Sequence, residues 1–391
     1  MAASDRQAAL SDYAAGTGTE TVTQTVVVPL ETSARKNAKV QTAIDEFQAM
    51  CSYLADMMAS IPEHERVPNN PALYRLITRE FPDDERTVAA KVALAASRKV
   101  AAAFQSRRAR GDGGELPNFG DGNFFMLDNQ NVTIVENERG FGLKANFVPY
   151  KPEWFHVNPR PYVREYLERV TDGEASYGTA EFRLSEDGHL AAHIPISWEV
   201  DVYEPGDVTT TVGVDIGENV LYAAAVVNSD GVSAVEMESG REFRHYRERL
   251  QQKRERLMEA DDLRGLKQNR GEQQRYTEQV LDTASRRIVE LAVEHAPAKI
   301  HVEDLTHYRE TARDPIHDWP FALLQEKIAY KAAAEGIPVK AVKPRNTSVT
   351  CRKCGQTNRE HRDGADFSCA RCGYEVHADV NAAINIAQKQ T

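Results

Sequence analysis

Thr209-Thr210-Thr211-Val212-Gly213-Val214-Asp215-Ile216-Gly217 is a run of β-branched and small residues with a single acidic side chain inside it. Such a run, closed by glycine, predicts a buried β-strand. A carboxylate within a buried strand costs free energy unless it binds a metal ion or is hydrogen-bonded. The segment therefore predicts both the first strand of a domain and a candidate metal ligand, Asp215.

The residues that follow this strand continue an antiparallel pattern. A second apolar run at 221–227 and a third at 232–237 are joined by the turn Ser229-Asp230-Gly231, which is typical of a β-hairpin. Longer elements come next. Two charged helices are predicted at 242–257 and 273–295, and an apolar strand at 298–305. Another helix at 320–335 and a short strand at 339–342 follow. A three-strand meander followed by helices and a further strand predicts an RNase H-like α/β layer over residues 209–345.

Two more carboxylates stand where such a layer can hold metal. Glu303 ends the apolar run Ile300-His301-Val302, and Asp379 starts a final helix at 379–388. Each has an ordinary alternative, because Asp suits a helix N-terminus and Asp304 competes with Glu303 as the strand-end acid. Strand alternation favours Glu303. We therefore take Asp215, Glu303 and Asp379 as the candidate catalytic set.

Two cysteine pairs lie between the last two of these acids. Cys351 and Cys354 are separated by 14 residues from Cys369 and Cys372, and a glycine follows each pair. Four thiolates satisfy the tetrahedral geometry of Zn²⁺, and each C-x-x-C turn places two sulfurs on one side of the ion. A pair of redox dithiols is the alternative, but the usual βαβ context is missing. The pattern predicts a zinc ribbon over residues 346–376 with a structural, closed metal site.

The charge of the chain is unevenly distributed. The 391 residues carry 48 Lys and Arg against 59 Asp and Glu, a net charge of −11, which taken alone argues against a nucleic-acid partner. However, residues 1–240 have an excess of 15 acidic groups, whereas residues 241–391 have an excess of 4 basic groups. Excess acid with few lysines favours a protein from a high-salt habitat, since salt screens self-repulsion. Because no apolar run reaches about 18 residues and no signal pattern opens the chain, we expect a cytoplasmic protein without a membrane.

The first half of the chain divides by composition. Residues 1–22 are rich in Ala, Ser, Thr, Gly and acid, which predicts a disordered tail. A first strand is predicted over 23–31. Short alternating segments punctuated by Gly, Pro and Asp over 118–208 predict an antiparallel β-domain, a barrel.

A helical module is predicted between these β segments, over residues 32–117. Apolar side chains recur there at steps of three and four residues. One helix follows Thr32, another covers 72–79 and a third starts near Asp83. Cys51 lies on the apolar stripe of the first helix and is therefore predicted to be core packing rather than a ligand.

Basic side chains cluster in two places of the second half. The helix predicted at 242–257 carries cations at steps of three and four, so several share one face that suits a nucleic-acid backbone. A solvated helix with i,i+4 ion pairs is the alternative. A second cluster surrounds the cysteine pairs, where ordinary ribbon surface is the alternative. The candidate nucleic-acid contacts are Arg244, Arg247, Lys253, Arg254, Arg345 and Arg371.

Together these motifs resemble the TnpB family. The resemblance rests on Val-Gly-Val-Asp215-Ile-Gly, Val-Glu303-Asp-Leu, the two cysteine pairs and Asp379-x-Asn381-Ala-Ala-x-Asn385-Ile, in order over residues 209–391. TnpB proteins are encoded by insertion sequences, have a RuvC-like nuclease domain and are related to miniature type V CRISPR effectors. The resemblance implies a RuvC-like domain at 209–345 and 377–391 with an inserted zinc ribbon. It also implies an N-terminal wedge-type β-barrel, interrupted by the helical recognition module.

The resemblance further implies RNA-guided DNA cleavage. A guide RNA from the end of the transposable element and a double-stranded DNA target beside a short adjacent motif would be the partners of a monomer. Asp215, Glu303 and Asp379 would be the RuvC acids and would hold two Mg²⁺ ions. One alternative is a non-cleaving RNA-guided DNA-binding regulator, against which the complete acid set counts. Another is a DNA transposase or its accessory protein, against which the position of the ribbon counts.

Overall fold

The structure is a computed structural model, and its residues form two compact units. It describes residues 18–61, 70–110, 117–120, 122–203, 206–304, 320–343 and 346–389. One unit comprises residues 21–199, and the other comprises residues 200–391 together with the start of the chain. No helix in these described ranges is long and apolar enough to cross a membrane.

The unit of residues 21–199 contains four described helices, α1 (Ala34–Ala59), α2 (Asn70–Glu80), α3 (Ala90–Arg110) and α4 (Pro161–Thr171). The apolar stripe predicted on α1 is buried, and Cys51 on it is fully buried. Helix α3 begins seven residues later than predicted, because residues 83–89 form turns and irregular backbone instead. Helix α4 was not predicted; Pro161 at its first turn has the backbone angle that a helix start needs.

Eight strands complete this unit: β1 (Gly18–Leu30), β2 (Phe124–Leu127), β3 (Val132–Asn137), β4 (Gly140–Val148), β5 (Lys151–Val157), β6 (Ala175–Tyr177), β7 (Ala180–Leu184) and β8 (Leu190–Val202). They pair as two sheets, one ordered β1-β8-β7-β2 with β6 against β8, the other β3-β4-β5. A single bridge joins Glu31 to His156. Closure into a barrel therefore stays a prediction.

The predicted N-terminal tail is wrong in its last residues. Residues 18–22 are the start of β1, so the strand begins five residues before the predicted position at 23. Exposure alternates along this Thr-rich segment, because one face of the strand is covered and the other is open to solvent. The segment is therefore part of the strand rather than of a disordered tail. Residues 1–17 lie outside the described part of the chain.

The second unit is built on one mixed sheet of five strands. These are β9 (Thr210–Ile216), β10 (Val220–Asn228), β11 (Gly231–Ser239), β12 (Ala298–Glu303) and β13 (Val339–Val342), in the order β11-β10-β9-β12-β13. Strands β9, β10 and β11 form the predicted antiparallel meander, and β12 lies parallel to both β9 and β13.

Helices cover both faces of this sheet. They are α5 (Arg241–Glu259), α6 (Leu263–Glu294), α7 (Phe321–Ala334) and α8 (Ala378–Ala387). Val212, Val214, Ile300 and Val302 point into a buried core shared with α6 and α7, whereas α8 packs on the opposite face. Helix α6 begins ten residues earlier than predicted, because the Asp262 carboxylate accepts a 2.8 Å hydrogen bond from the Gly265 N–H and caps the helix there.

The segment between β13 and α8 is more regular than predicted. It contains three short antiparallel strands, β14 (Arg362–Asp363), β15 (Asp366–Ser368) and β16 (Glu375–His377), instead of a wholly irregular insert. Phe367 on β15 is 1% exposed and forms a small core with the cysteines. We call residues 346–377 the ribbon.

Candidate functional site

Asp215 and Glu303 lie side by side at one end of the mixed sheet. Val302 on β12 pairs in parallel with Val214 on β9, and each acid is the next residue on its strand. Because side chains alternate along a strand, both acids point away from the core that receives the two valines. The same alternation turns Asp304 to the other side of the sheet, so the structure favours Glu303 over Asp304 as the partner of Asp215.

Helix α8 brings Asp379 to the same end of the sheet. Gly213 makes this possible, because a Cβ there would overlap the carbonyl oxygen of Ala383 and the amide nitrogen of Ala387. The backbone of α8 therefore lies directly on β9. Near the end of the helix, Nδ1 of the buried His301 lies 3.2 Å from the Ile386 carbonyl oxygen. Asp379 stands in the first turn of α8, where the helix dipole favours a negative charge.

The pKa of Asp215 responds to the other two carboxylates. Burial raises the pKa of Asp215 well above its usual range, and the negative charges of Glu303 and Asp379 raise it further. Burial also raises the pKa of Glu303, against an opposing hydrogen bond from Thr347. Asp379 is paired with Arg362 of the ribbon, with 2.8 Å between Nη2 and Oδ1. These carboxylates are partly buried and lie close enough to raise the pKa of Asp215, so together they could hold a hard cation such as Mg²⁺, which prefers carboxylate oxygens.

The four ribbon cysteines form a metal-ligand cluster. The Sγ atoms of Cys351 and Cys372 are 3.7 Å apart, and those of Cys354 and Cys369 are 3.6 Å apart. Tetrahedral Zn²⁺ with Zn–S bonds of about 2.3 Å requires sulfurs about 3.8 Å apart. Within the described residues, only these four form a group of His, Cys, Asp or Glu whose ligand atoms all lie within 4.8 Å of one another. The three carboxylates share one end of the sheet but are more widely spaced.

The two cysteine pairs adopt matching turns. The N–H groups of Gly355 and Gly373 donate 2.9 Å hydrogen bonds to the carbonyls of Cys351 and Cys369. Both glycines have positive φ angles, 73° and 66°, which other residues rarely adopt. Each turn thus directs two sulfurs toward one point. The predicted ligands are brought together, and the cluster is suited to zinc.

The structure separates the candidate nucleic-acid contacts by environment. On α5, Arg244 donates to the Asn219 side chain, Arg247 lies 5.6 Å from the Phe243 ring centroid, and Lys253 pairs with Glu272 at 2.9 Å. Arg254 and, in the ribbon, Arg371 are exposed. Arg345 lies outside the described residues. The periodicity of the sequence therefore placed residues with different surroundings in one set of candidate nucleic-acid contacts.

A groove of about 320 Å³ lies between α5 and α6. It is lined by Tyr246, Arg249, Leu250, Gln252, Lys253, Arg256 and Glu272. Arg249, Lys253 and Arg256 are spaced by four and three residues and so share one side of α5. Tyr246 packs on Tyr276 with 3.9 Å between ring centroids, and its hydroxyl donates to Glu272 at 2.9 Å. Three cations and one acid line this groove, and all three cations belong to the basic helix segment for which the sequence predicts nucleic-acid contact.

Two further residues at the carboxylates were not predicted. Thr347 donates a hydrogen bond to Glu303, and Arg362 pairs with Asp379. Both belong to the ribbon, and Thr347 lies 44 residues from Glu303 in the sequence. The Thr347-Ser348 pair before the first cysteine was a visible signal, but its spacing alone predicts no contact with a strand 44 residues earlier.

The fold and the two sites define a class. A mixed sheet with three acids at one end and a four-cysteine ribbon inserted before the last of them is the arrangement expected of a RuvC-like α/β domain with a zinc ribbon. Residues 321–386 match the family model described as Cas12f1-like, TNB domain.

Relatives in sequence carry the corresponding names. The chain is 30% identical over 240 residues to the CRISPR-associated endodeoxyribonuclease Cas12f1 of Sulfoacidibacillus thermotolerans, covering 56% of this chain and 55% of that protein. It is 24% identical over 242 residues to a TnpB-like protein of Methanocaldococcus jannaschii, covering 58% and 83%. The predicted resemblance is confirmed: the chain is a homologue of TnpB-like proteins and of Cas12f. It spans about half the length of the Cas12f relatives that it matches.

Solved structures agree on the fold. The cryo-EM structure of a Cas12f1–sgRNA–target DNA complex superposes with a TM-score of 0.66 at 14% identity, covering 94% of this chain and 99% of that one. The mini-RNA-guided endonuclease CRISPR-Cas_phi3 superposes with a TM-score of 0.50 at 10% identity, covering 95% and 92%. The structural relatives are thus Cas12 effectors with a mixed α/β fold.

Proposed function

We propose that this chain is an RNA-guided, Mg²⁺-dependent DNA endonuclease encoded by a transposable element, which cuts beside a short adjacent motif. The observation that carries the proposal is the convergence of Asp215, Glu303 and Asp379 at one end of the sheet, where the pKa of Asp215 is raised by burial and by the other two charges. The name endodeoxyribonuclease of the Cas12f relatives supports DNA as the substrate.

The three acids act together as Mg²⁺ ligands in this proposal. Asp215 and Glu303 are fixed by adjacent strands, so their carboxylates are preorganised to bind two Mg²⁺ ions together with Asp379. Bound Mg²⁺ supplies the positive charge that polarises the phosphodiester and activates water. Arg362 balances the charge of Asp379 and lowers the pKa of Asp215, which keeps more of the site ionised. The four cysteines would hold a structural Zn²⁺ ion.

The groove between α5 and α6 is the proposed contact for the nucleic-acid backbone. Arg249, Lys253 and Arg256 offer positive charge along one side of a helix, which suits a row of phosphates. Glu272 is engaged by Tyr246 and Lys253, so it orients the lysine in addition to offsetting its charge. This local charge outweighs the net charge of −11, because phosphate binding depends on nearby cations.

Cleavage by matched variants tests the nuclease. The full chain is purified with the RNA that accompanies it, that RNA is sequenced, and a linear double-stranded DNA with the matching target is added with Mg²⁺. Asp215→Asn, Glu303→Gln and Asp379→Asn are expected to abolish cutting, whereas the exposed Glu259→Gln should cut normally. If the wild-type chain binds the target without cutting it, the regulator is the correct function. If it joins element ends to DNA, the transposase is correct.

The salt dependence of RNA binding tests the groove. An Arg249→Gln/Arg256→Gln double variant removes two phosphate contacts. The negative slope of the logarithm of the RNA-binding constant against the logarithm of the salt concentration should therefore become shallower by about 1.4–1.8. The exposed Arg264→Gln at the start of α6, outside the groove, is the matched control and should keep the wild-type slope. An unchanged slope in the double variant would exclude the groove as a backbone contact.

A further inference from the structure

The ribbon reaches the carboxylate end of the sheet through its first five residues, 346–350, which we call the ribbon arm. Thr347 in this arm is 4% exposed, and its hydroxyl donates a 2.5 Å hydrogen bond to Oε1 of Glu303. A hydroxyl has a single proton to donate, so this bond engages one carboxylate oxygen. The bond therefore orients one oxygen of Glu303 and leaves the other for a different partner.

The ribbon arm is itself fixed to helix α8. Asn385 Nδ2 donates to the carbonyl oxygens of Thr347 and Thr350 at 2.8 and 2.7 Å, and Asn381 Nδ2 donates to the Thr350 carbonyl at 2.8 Å. Both asparagines are on the helix that begins with Asp379, and Asn381 is fully buried. Three hydrogen bonds thus define where the Thr347 hydroxyl stands relative to the helix.

The other end of Glu303 is held as well. Its backbone carbonyl accepts a 2.7 Å hydrogen bond from Gln325 Nε2, and Gln325 on α7 is 6% exposed. The backbone of Glu303 is therefore fixed from the core side, while Thr347 fixes its carboxylate from the ribbon side. Thr347 and Gln325, the two partners of Glu303, are both buried, which limits the competition of water for these bonds.

We infer that Thr347 is a positioning residue for the metal-binding carboxylate Glu303, and that the ribbon acts through it as a supporting part of the nuclease site. The inference rests on the proposed function, because it assigns Glu303 to Mg²⁺. The two asparagines of the Asp379-x-Asn-x-x-x-Asn motif act indirectly. They fix the position of the ribbon arm, and the arm in turn fixes the Thr347 hydroxyl. Residues that orient a metal ligand typically change metal affinity by about 10- to 100-fold when they are removed.

The decisive variant is Thr347→Val, which removes the hydroxyl but keeps the side-chain shape and the backbone carbonyl that Asn385 binds. The Mg²⁺ concentration for half-maximal cleavage is expected to rise about 10- to 100-fold, and Thr347→Ser should restore it to about the wild-type value. The matched control is Thr357→Val, which removes an exposed ribbon hydroxyl that lies 2.9 Å from the Thr350 hydroxyl and leaves the Thr347–Glu303 bond unchanged. The zinc content and melting temperature of each variant show whether the ribbon is intact.

A second measurement separates this inference from the nuclease proposal. Calorimetric titration of Mg²⁺ into the free protein reports carboxylate binding without any cleavage. Weaker Mg²⁺ binding in Thr347→Val, with normal zinc content and serine rescue, supports the positioning role even if the wild-type chain does not cut DNA. Wild-type Mg²⁺ affinity in a folded Thr347→Val protein overturns the inference, whatever the chain cleaves.

Discussion

Substituting Gly213 by alanine tests the packing that brings Asp379 to the other two acids. A Cβ at this position would lie 2.8 Å from Ala387 Cβ and would overlap the backbone of α8 at Ala383 and Ala387. Carbon atoms pack at about 3.5–4.0 Å, so the helix must move away from β9 by about 1 Å. Because the obstructing atoms belong to a helix backbone, no side-chain rotation relieves the overlap.

Two measurable consequences follow from that displacement. Overpacking of this kind costs about 1–3 kcal/mol, of which Gly→Ala recovers about 0.4–1 kcal/mol by restricting the unfolded chain. A misplacement of about 1 Å at a reacting centre can cost about 100-fold in rate. We therefore expect Gly213→Ala to be destabilised by up to about 2.6 kcal/mol and to cleave DNA about 100-fold more slowly.

Denaturation and cleavage measured on the same preparations check both values. Gly206→Ala is the matched control, because a Cβ there meets nothing within 4 Å and the same unfolded-state gain applies. It should be as stable as the wild type or slightly more stable. A Gly213→Ala protein with wild-type stability and wild-type cleavage would refute the direct contact between α8 and β9.

Three further results are expected. Removing zinc with a chelator should expose the four ribbon cysteines to alkylation as measured by mass spectrometry, while Cys51 stays unmodified because burial raises its pKa to about 12. The pKa of Asp282 is raised by burial but lowered more by its hydrogen bond and ion pair with Lys331, so it lies below the usual value in the folded state. Its contribution to stability is present above the unfolded pKa of about 3.9 and is lost as pH falls through the folded pKa, so Asp282→Asn should weaken urea resistance at pH 7 more than at about pH 3. If the acidic excess reflects a high-salt habitat, the urea midpoint should rise between about 0.1 and 1 M KCl, and a fall would contradict that prediction.

The sequence predicted best where one physical signal dominated. The apolar run around Asp215 and the stripe through Cys51 predicted buried elements, because burial dominates the choice of side chains there. The sequence predicted element boundaries less well where a helix cap or strand pairing overrode the hydrophobic pattern. The Asp262 cap starts α6 ten residues early, and pairing of β1 extends that strand into the expected tail. Neither effect leaves a periodic pattern in the chain.

The sequence by itself indicated which side chains are candidates for metal binding, because a carboxylate in a buried strand is costly without a partner and two C-x-x-C pairs suit tetrahedral Zn²⁺. It also determined the order of the meander and the homology to TnpB-like proteins and Cas12f. Only the tertiary structure decided how these parts meet. Gly213 lets α8 approach the sheet, Thr347 of the ribbon contacts Glu303 across 44 residues of chain, and Arg362 of the ribbon contacts Asp379. Such contacts depend on close packing between distant segments, which spacing along one chain does not encode.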